Sequence, residues 1–346
     1  MTAPTAERTE IGHDHQDANQ ATVRRAANEV EQAWREVVPD RLSSAYPTAI
    51  LPVFISAVTN GQIYAAALAQ PFVDEALSGT DESAVASVLP ASFGGVTAGG
   101  MSLEWLATAL QVWLLENLRA GMSTTDAHQV GLRRALTYVS TEINDAGRSA
   151  VQVAETAHPG AAGHERVVRL PACDRCIVLA GRFYRYSTGF LRHPRCDCTM
   201  VPVSRQEWRD GRPENEPTAL FHAMSEAEQN RRFGLANAEV IRMGGDISQV
   251  VNARSGMATV QAFGRTMQIT TTGTTTRALY GGYEILPDGR LRRRPDSELR
   301  KVSGSRYRVT EAPRLTPGEI FQLGHEFGWD REELVRQLRR HAYLTR

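Results

Sequence analysis

The sequence predicts a mainly helical α+β chain, with an N-terminal helical bundle, a small central β module and a small C-terminal α+β region. Three observations carry this. Apolar residues recur at helical spacing through the first 157 residues. All four cysteines fall within one 26-residue window rich in β-branched residues. Residues 258–310 are rich in threonine and short alternating runs before helical spacing returns.

Residues 1–20 are polar and acidic at Glu7, Glu10, Asp14 and Asp17, which predicts a flexible or weakly helical arm. From Ala21 to Val38 the spacing of Val23, Ala27, Val30, Ala33 or Trp34, and Val37 predicts a helix ended by Pro39. A second helix is expected over Val53–Ala69, stopping at Pro71. Residues 78–101, with Gly94-Gly95 and Gly99-Gly100, predict a loop. Ser102 is placed to cap a helix through Leu118 that Gly121 stops. Ser123 and Asp126 resemble a capping box opening a long helix to about Ala157, with Leu132, Leu136, Val139 and Ile143 on one face. Residues 21–157 therefore form an all-helical region. Trp34, Trp105 and Trp113 are either core residues or anchors for a partner protein.

Pro159-Gly160 and Gly163 separate this region from the central module, 164–204. Its cysteines are arranged as Cys173-x-x-Cys176, then sixteen residues, then His193-Pro-Arg-Cys196-Asp-Cys198. Two thiols spaced by two residues can grip one metal ion from a tight turn, and a second Cys/His cluster can close a tetrahedral site. Five ligands are on offer where zinc needs four, and the choice between Cys196 and Cys198 stays open. The alternatives are a redox pair, thiols without a metal, or disulfides. Short strands are expected at Arg166–Leu170, Ile177 to Tyr186 with a bend at Gly181, and Thr199–Val203, where Pro202 marks an edge. So small a patch has little core, and metal binding supplies the missing stability. Four Cys/His ligands leave no open position for a catalytic water, so the site reads as a staple. His158 and His164, among glycines and alanines, are expected to face solvent.

Arg205–Pro217 reads as a charged linker. Ser225-x-x-Glu228 is a capping box for a helix ending near Gly234, and helices follow over Ala236–Met243 and Ile247–Asn252. Strands are expected around Met267, Tyr283–Leu286 and Tyr307–Thr310, with a turn at Pro287-Asp-Gly289. Pro317 starts a helix and Asp330 caps another over Arg331–Ala342, completing a C-terminal region, 217–346. The basic run Arg290, Arg292, Arg293 and Arg294 is either a solvated loop or a contact for DNA phosphates.

The chain has 39 basic and 39 acidic residues, so net charge gives no global signal for nucleic acid. Lys301 is the one lysine, a bias that a GC-rich coding sequence explains. Ala49–Val58, interrupted by Pro52, is too short to span a bilayer, so no membrane association is expected.

The Cys-x-x-Cys, the Gly-containing strand, the His-Pro-x-Cys-x-Cys cluster and the Pro-bearing strand together resemble the MuF-like minor capsid, or head morphogenesis, proteins of tailed phages. Here these features are Cys173, Cys176, Gly181, His193, Pro194, Cys196, Cys198 and Pro202. Ile247–Met257 and Thr270–Thr276 look like segments of the actinobacteriophage type. Many relatives carry an aromatic shortly before the first Cys, where this chain has Val167-Val168-Arg169. The resemblance implies a structural, non-enzymatic head-assembly protein with a structural zinc. It would be made in the host cytoplasm and held at low copy inside the virion head, against the portal protein and inner capsid. Contact with packaged DNA, and ejection with it, are further implications.

The alternative is a zinc-containing nuclease or a toxin acting on nucleic acid or host proteins. A nuclease of the HNH type needs a further His beside a divalent ion, and the next histidine after Cys198 is His222, beyond the charged linker. Glu226 and Glu228 superficially offer a toxin's paired glutamates but sit in a first helical turn, where they complement the dipole. No protease nucleophile, Walker or GxGxxG pattern stands in a convincing context.

Overall fold

A computed structural model describes residues 5–185, 198–210, 217–253, 257–262, 265–270, 283–285, 291–293, 314–315 and 317–340. The fold is α+β and mainly helical, as the sequence predicts. The chain divides into two compact units: Met1–Ala172 with Leu179–Glu216, and Cys173–Val178 with Pro217–Arg346.

The first unit opens with α1 (Thr5–Arg35), which begins well before the expected Ala21. Tertiary contact explains the extra turns. Gly12 lies so close to the strand Thr199–Ser204 that a Cβ would come within 2.6 Å of Val201, and Arg8 is buried among acidic residues described below. After α1 a helical run passes through a 3₁₀ turn (Pro39–Arg41), α2 (Leu42–Ala45), a π turn (Tyr46–Ile50), α3 (Leu51–Ala67) and α4 (Ala69–Ala76). Pro39, Pro47, Pro52 and Pro71 each fall in the first turn of a segment, where a missing N–H breaks no helical hydrogen bond. Pro71 therefore does not stop the helix there. By length and composition alone, Pro39–Ala76 could cross a membrane, because Pro52 does not interrupt it as the sequence reading assumed. Its Phe54, Val58, Ala65 and Ala66 are instead buried in this unit's core.

The loop that follows is pinned from below. Gln62 donates to the Val96 carbonyl (2.7 Å) and accepts from Gly95 N (2.9 Å), while Glu142 accepts from Ala98 N (3.1 Å). α5 (Leu103–Arg119) is capped by Ser102, whose hydroxyl accepts from Trp105 N, and ends before Gly121 at φ +96°. α6 (Thr124–Ala157) is capped by Ser123, with the hydroxyl also meeting the Asp126 carboxylate at 2.7 Å. Helices α1, α3 and α6 pack together around Val30, Trp34, Phe54, Val139 and Ile143. Gly61 permits the approach of α3 to α6, since a Cβ there would stand 2.4 Å from Ile143. Trp34 donates to the His128 carbonyl (3.1 Å) and Tyr46 to the Ala107 carbonyl (2.8 Å), so the buried rings keep their polar atoms satisfied.

β1 (Ala161–Val167) is the central strand of an antiparallel sheet. The next element, α7 (Asp174–Val178), belongs to the second unit and is helical where a strand was expected. β2 (Phe183–Arg185) and β3 (Thr199–Ser204) flank β1, pairing Tyr184 and Pro202 with His164. Pro202 thus lies on an edge strand, as its missing donor requires. α8 (Arg205–Asp210) follows at once, where the first half of a linker was expected; residues 211–216 lie outside the described residues. Ser204 and Glu207 form a reciprocal capping box, with the Ser204 hydroxyl accepting from Glu207 N (3.2 Å) and the Glu207 carboxylate from Ser204 N (2.7 Å).

The second unit contains α9 (Pro217–His222), α10 (Glu226–Phe233), α11 (Leu235–Arg242) and α12 (Ile247–Ala253). Ser225 caps α10, and Gly234 at φ +83° turns the chain into α11. Phe221 and Phe233 pack edge to face in its core. β4 (Met257–Ala262), β5 (Arg265–Thr270), a hairpin of β6 (Tyr283–Ile285) and β7 (Leu291–Arg293), and β8 (Arg314–Leu315) follow, with the order β4-β5-β8 in one sheet. α13 (Pro317–Phe327) and α14 (Arg331–Arg340) end the described chain. Asp330 accepts from Glu333 N (2.8 Å) as the expected cap. The expected strand at Tyr307–Thr310 and the Pro287-Asp-Gly289 turn lie outside the described residues.

Candidate functional site

Cys173 stands immediately before α7, half-buried, and its Sγ accepts a hydrogen bond from Cys176 N at 3.4 Å. The two cysteines thus stand on one turn, the spacing from which a Cys-x-x-Cys pair can grip a metal ion. Cys176 is buried. Cys198 is buried at the start of β3, and its carbonyl accepts two bonds from Arg148 of α6, at 3.2 and 3.0 Å. Arg148 is itself steadied by Asp145 at 3.3 Å. A narrow polar crevice beside Cys198, lined by His15, Asn19, Asn144, Arg148 and Met200, has room for about one water molecule.

His193 and Cys196 lie outside the described residues, as therefore does the choice between Cys196 and Cys198. Among the described residues no three His, Cys, Asp or Glu side chains gather into a metal site. Cys173 and Cys176 belong to the second unit and Cys198 to the first. The thiol and imidazole donor set and the N–H···S turn fit zinc. Of the basic run, Arg292 and Arg293 lie on β7, paired with Glu284 and Tyr283 of β6; Arg290 and Arg294 are outside the described residues. The three tryptophans separate cleanly. Trp34 is fully buried and cannot anchor a partner, Trp113 lies half-buried beneath Arg134 (4.4 Å), and Trp105 is 53% exposed.

Sequence reasoning missed a buried charged layer on β1. His164 and His158 were expected in solvent, yet both are buried. Strand alternation sends His164 and Arg166 to one face and Glu165 to the other. On the first face His164 Nδ1 meets Glu155 of α6 at 3.0 Å and stacks on Tyr184, while Arg166 lies over the same ring. On the other, Arg8 of α1 reaches Glu165 (3.5 Å) and Glu207 (3.2 Å) and donates to the Pro202 carbonyl (3.2 Å). One arginine thus ties α1, β1, β3 and α8 together.

Burial sets the ionisation of the layer. The Glu165 carboxyl is pushed up to about 7 by desolvation, with Arg8 opposing and Glu207 reinforcing the rise. Glu155 is raised by burial and partly restored by its bond to His164. On α1, His15 stacks on Phe72 at 3.9 Å and burial lowers it to about 4. With Glu155 and His164 fully withdrawn from solvent, this layer binds elements to each other. It offers no surface to a substrate.

The family model described as VG15 protein matches residues 6–227, which spans the helical bundle, the β1 layer and the whole Cys/His window. No curated protein and no solved structure matches the chain.

Proposed function

The chain belongs to the VG15 protein family, a viral gene family that suggests a phage-encoded protein, and on that premise we propose that it is a minor head protein acting in capsid assembly. The match supports the reading because it covers the Cys173–Pro202 motif on which the likeness to MuF-like head proteins chiefly rests, while Ile247–Met257 and Thr270–Thr276 fall beyond it. The protein would be made in the host cytoplasm and built at low copy into the head interior, against the portal protein. Its work would be binding, not turnover. Trp105, exposed on α5 where that helix packs against α3 and α6, is the tryptophan that supports a docking role.

Zinc enters as a structural ion. Cys173 and Cys176 would supply one half of the ligand set, and two of His193, Cys196 and Cys198 the other. Bound there, zinc would contribute folding free energy to segments with little apolar core. Arg290, Arg292, Arg293 and Arg294 would meet packaged DNA through phosphates, a contact that high salt weakens steeply.

The test is the protein content of purified particles. A fixed low copy number beside the portal in both DNA-filled heads and DNA-free procapsids is expected. Absence from both overturns the reading, as does robust Mg²⁺-dependent nuclease or modifying turnover by the purified chain.

A further inference from the structure

From Leu42 to Val73 the sequence carries no Asp, Glu, Lys, Arg or His, although charged residues make up 23% of the chain. A helix buried on all sides needs none, but this run is not buried on all sides. Pro52, Ser56, Asn60, Tyr64, Ala67 and Pro71 are all exposed and follow one another at steps of three or four, which places them along one face. Tyr64 is 58% exposed. Solvent-facing helix surfaces in soluble proteins are ordinarily rich in charge, so a face without any desolvates cheaply. It suits a partner that is itself uncharged.

The charges at the two ends of the run are also informative. Arg41 precedes it and Asp74 and Glu75 close it, all exposed. Asp40, also exposed, stands beside Arg41 but accepts from the Thr124 hydroxyl of α6 at 2.6 Å; the acids at the C-terminal end are in the order that the helix dipole disfavours. Asp74 accepts from Gln70 at 2.9 Å, while Arg41 and Glu75 make no ion pair among the described residues. Arg25 of α1 stands at the margin, 5.7 Å from the Tyr64 ring. A basic end, an uncharged middle and an acidic end form a pattern complementary to its own reverse.

We infer that this face is the contact for a second copy of the chain, related by a two-fold axis passing near Asn60. The two α3 helices would run antiparallel, and Arg41 of each copy would meet Glu75 of the other. A two-fold contact uses one patch twice, so an uncharged centre meets itself without repulsion and each end pair occurs twice. Pro52 to Pro71 corresponds to roughly 28 Å of helical rise. One such face is small beside the ~800 Å² per partner of a standard interface, so the association is concentration-dependent, in the roughly micromolar range.

Sedimentation equilibrium of the full chain between about 1 and 100 μM tests this. The expected result is a mass rising from 38.1 kDa toward twice that value. Asn60→Glu or Ser56→Glu, both at exposed positions, should weaken association about tenfold or more by setting like charges across the axis. Arg41→Glu should weaken it, and Arg41→Glu with Glu75→Arg should restore it, with circular dichroism unchanged throughout. Three results would overturn the inference. One is a single 38.1 kDa species at every concentration, and another is a dimer indifferent to all four variants. The third is flotation with neutral phosphatidylcholine vesicles that Asn60→Glu abolishes, which would assign the face to a membrane.

Discussion

His164 Nδ1 lies 3.0 Å from Glu155 Oε2, and neither side chain retains any solvent exposure. The pair joins the last turns of α6 to the central strand of the sheet, so the helical bundle and the β layer are one buried assembly. His164→Ala should cost roughly 3–5 kcal/mol in urea unfolding, because it strands a buried carboxyl without its partner. Glu155→Gln keeps an oxygen for the ring N–H and removes the group whose charge burial disfavours. It should cost no more than about 1 kcal/mol. Equal losses from the two variants would contradict the pairing.

Stability should fall across neutral pH because of Glu165. Its carboxyl is held at about 7 against 4.5 when unfolded. Between those values the folded chain holds more protons, so this contribution is complete below pH 4.5 and is lost as pH rises through 7. The full swing is at most about 3 kcal/mol. Glu165→Gln should flatten that limb of a thermal-stability profile.

His15 acts in the opposite sense. Its imidazole titrates at about 4 in the folded chain against 6.5 when unfolded. The unfolded chain therefore binds more protons between these values, so the contribution is present above 6.5 and lost as pH falls through 4. His15→Phe, which keeps the ring stacked on Phe72, should remove the acid limb and leave the Glu165 limb in place.

The helices were legible because their signals are local. Ser102, Ser123, Ser225 and Asp330 cap helices from positions visible in the sequence, and each hydrogen bond is present. The start of α1 was not legible. Its first turns are stabilised by Arg8 against Glu165 and Glu207, residues remote in sequence that no window of helical spacing contains. β1 was legible only at its end, where the strand expected over Arg166–Leu170 overlaps it at Arg166 and Val167; a strand carrying His164, Glu165 and Arg166 looks exposed until its distant partners are known. The α8 helix was legible in Ser204-x-x-Glu207 and was passed over for its charge. Of the proposed zinc ligands, Cys173 and Cys176 share one turn, as their spacing predicts, with an N–H···S bond across it.

Cys173→Ser should lose bound zinc, measured by elemental analysis, and disorder the surrounding segments while α1, α3 and α6 keep their helical circular dichroism signal. Comparing Cys196→Ser with Cys198→Ser should show zinc lost from one and retained by the other. Unchanged zinc content and spectra in Cys173→Ser would contradict a structural metal.

Quantitative mass spectrometry of purified particles and DNA-free procapsids tests the central claim most directly. The account predicts the same low copy number in both, beside the portal subunits. Absence of the chain from both would contradict a head-assembly role.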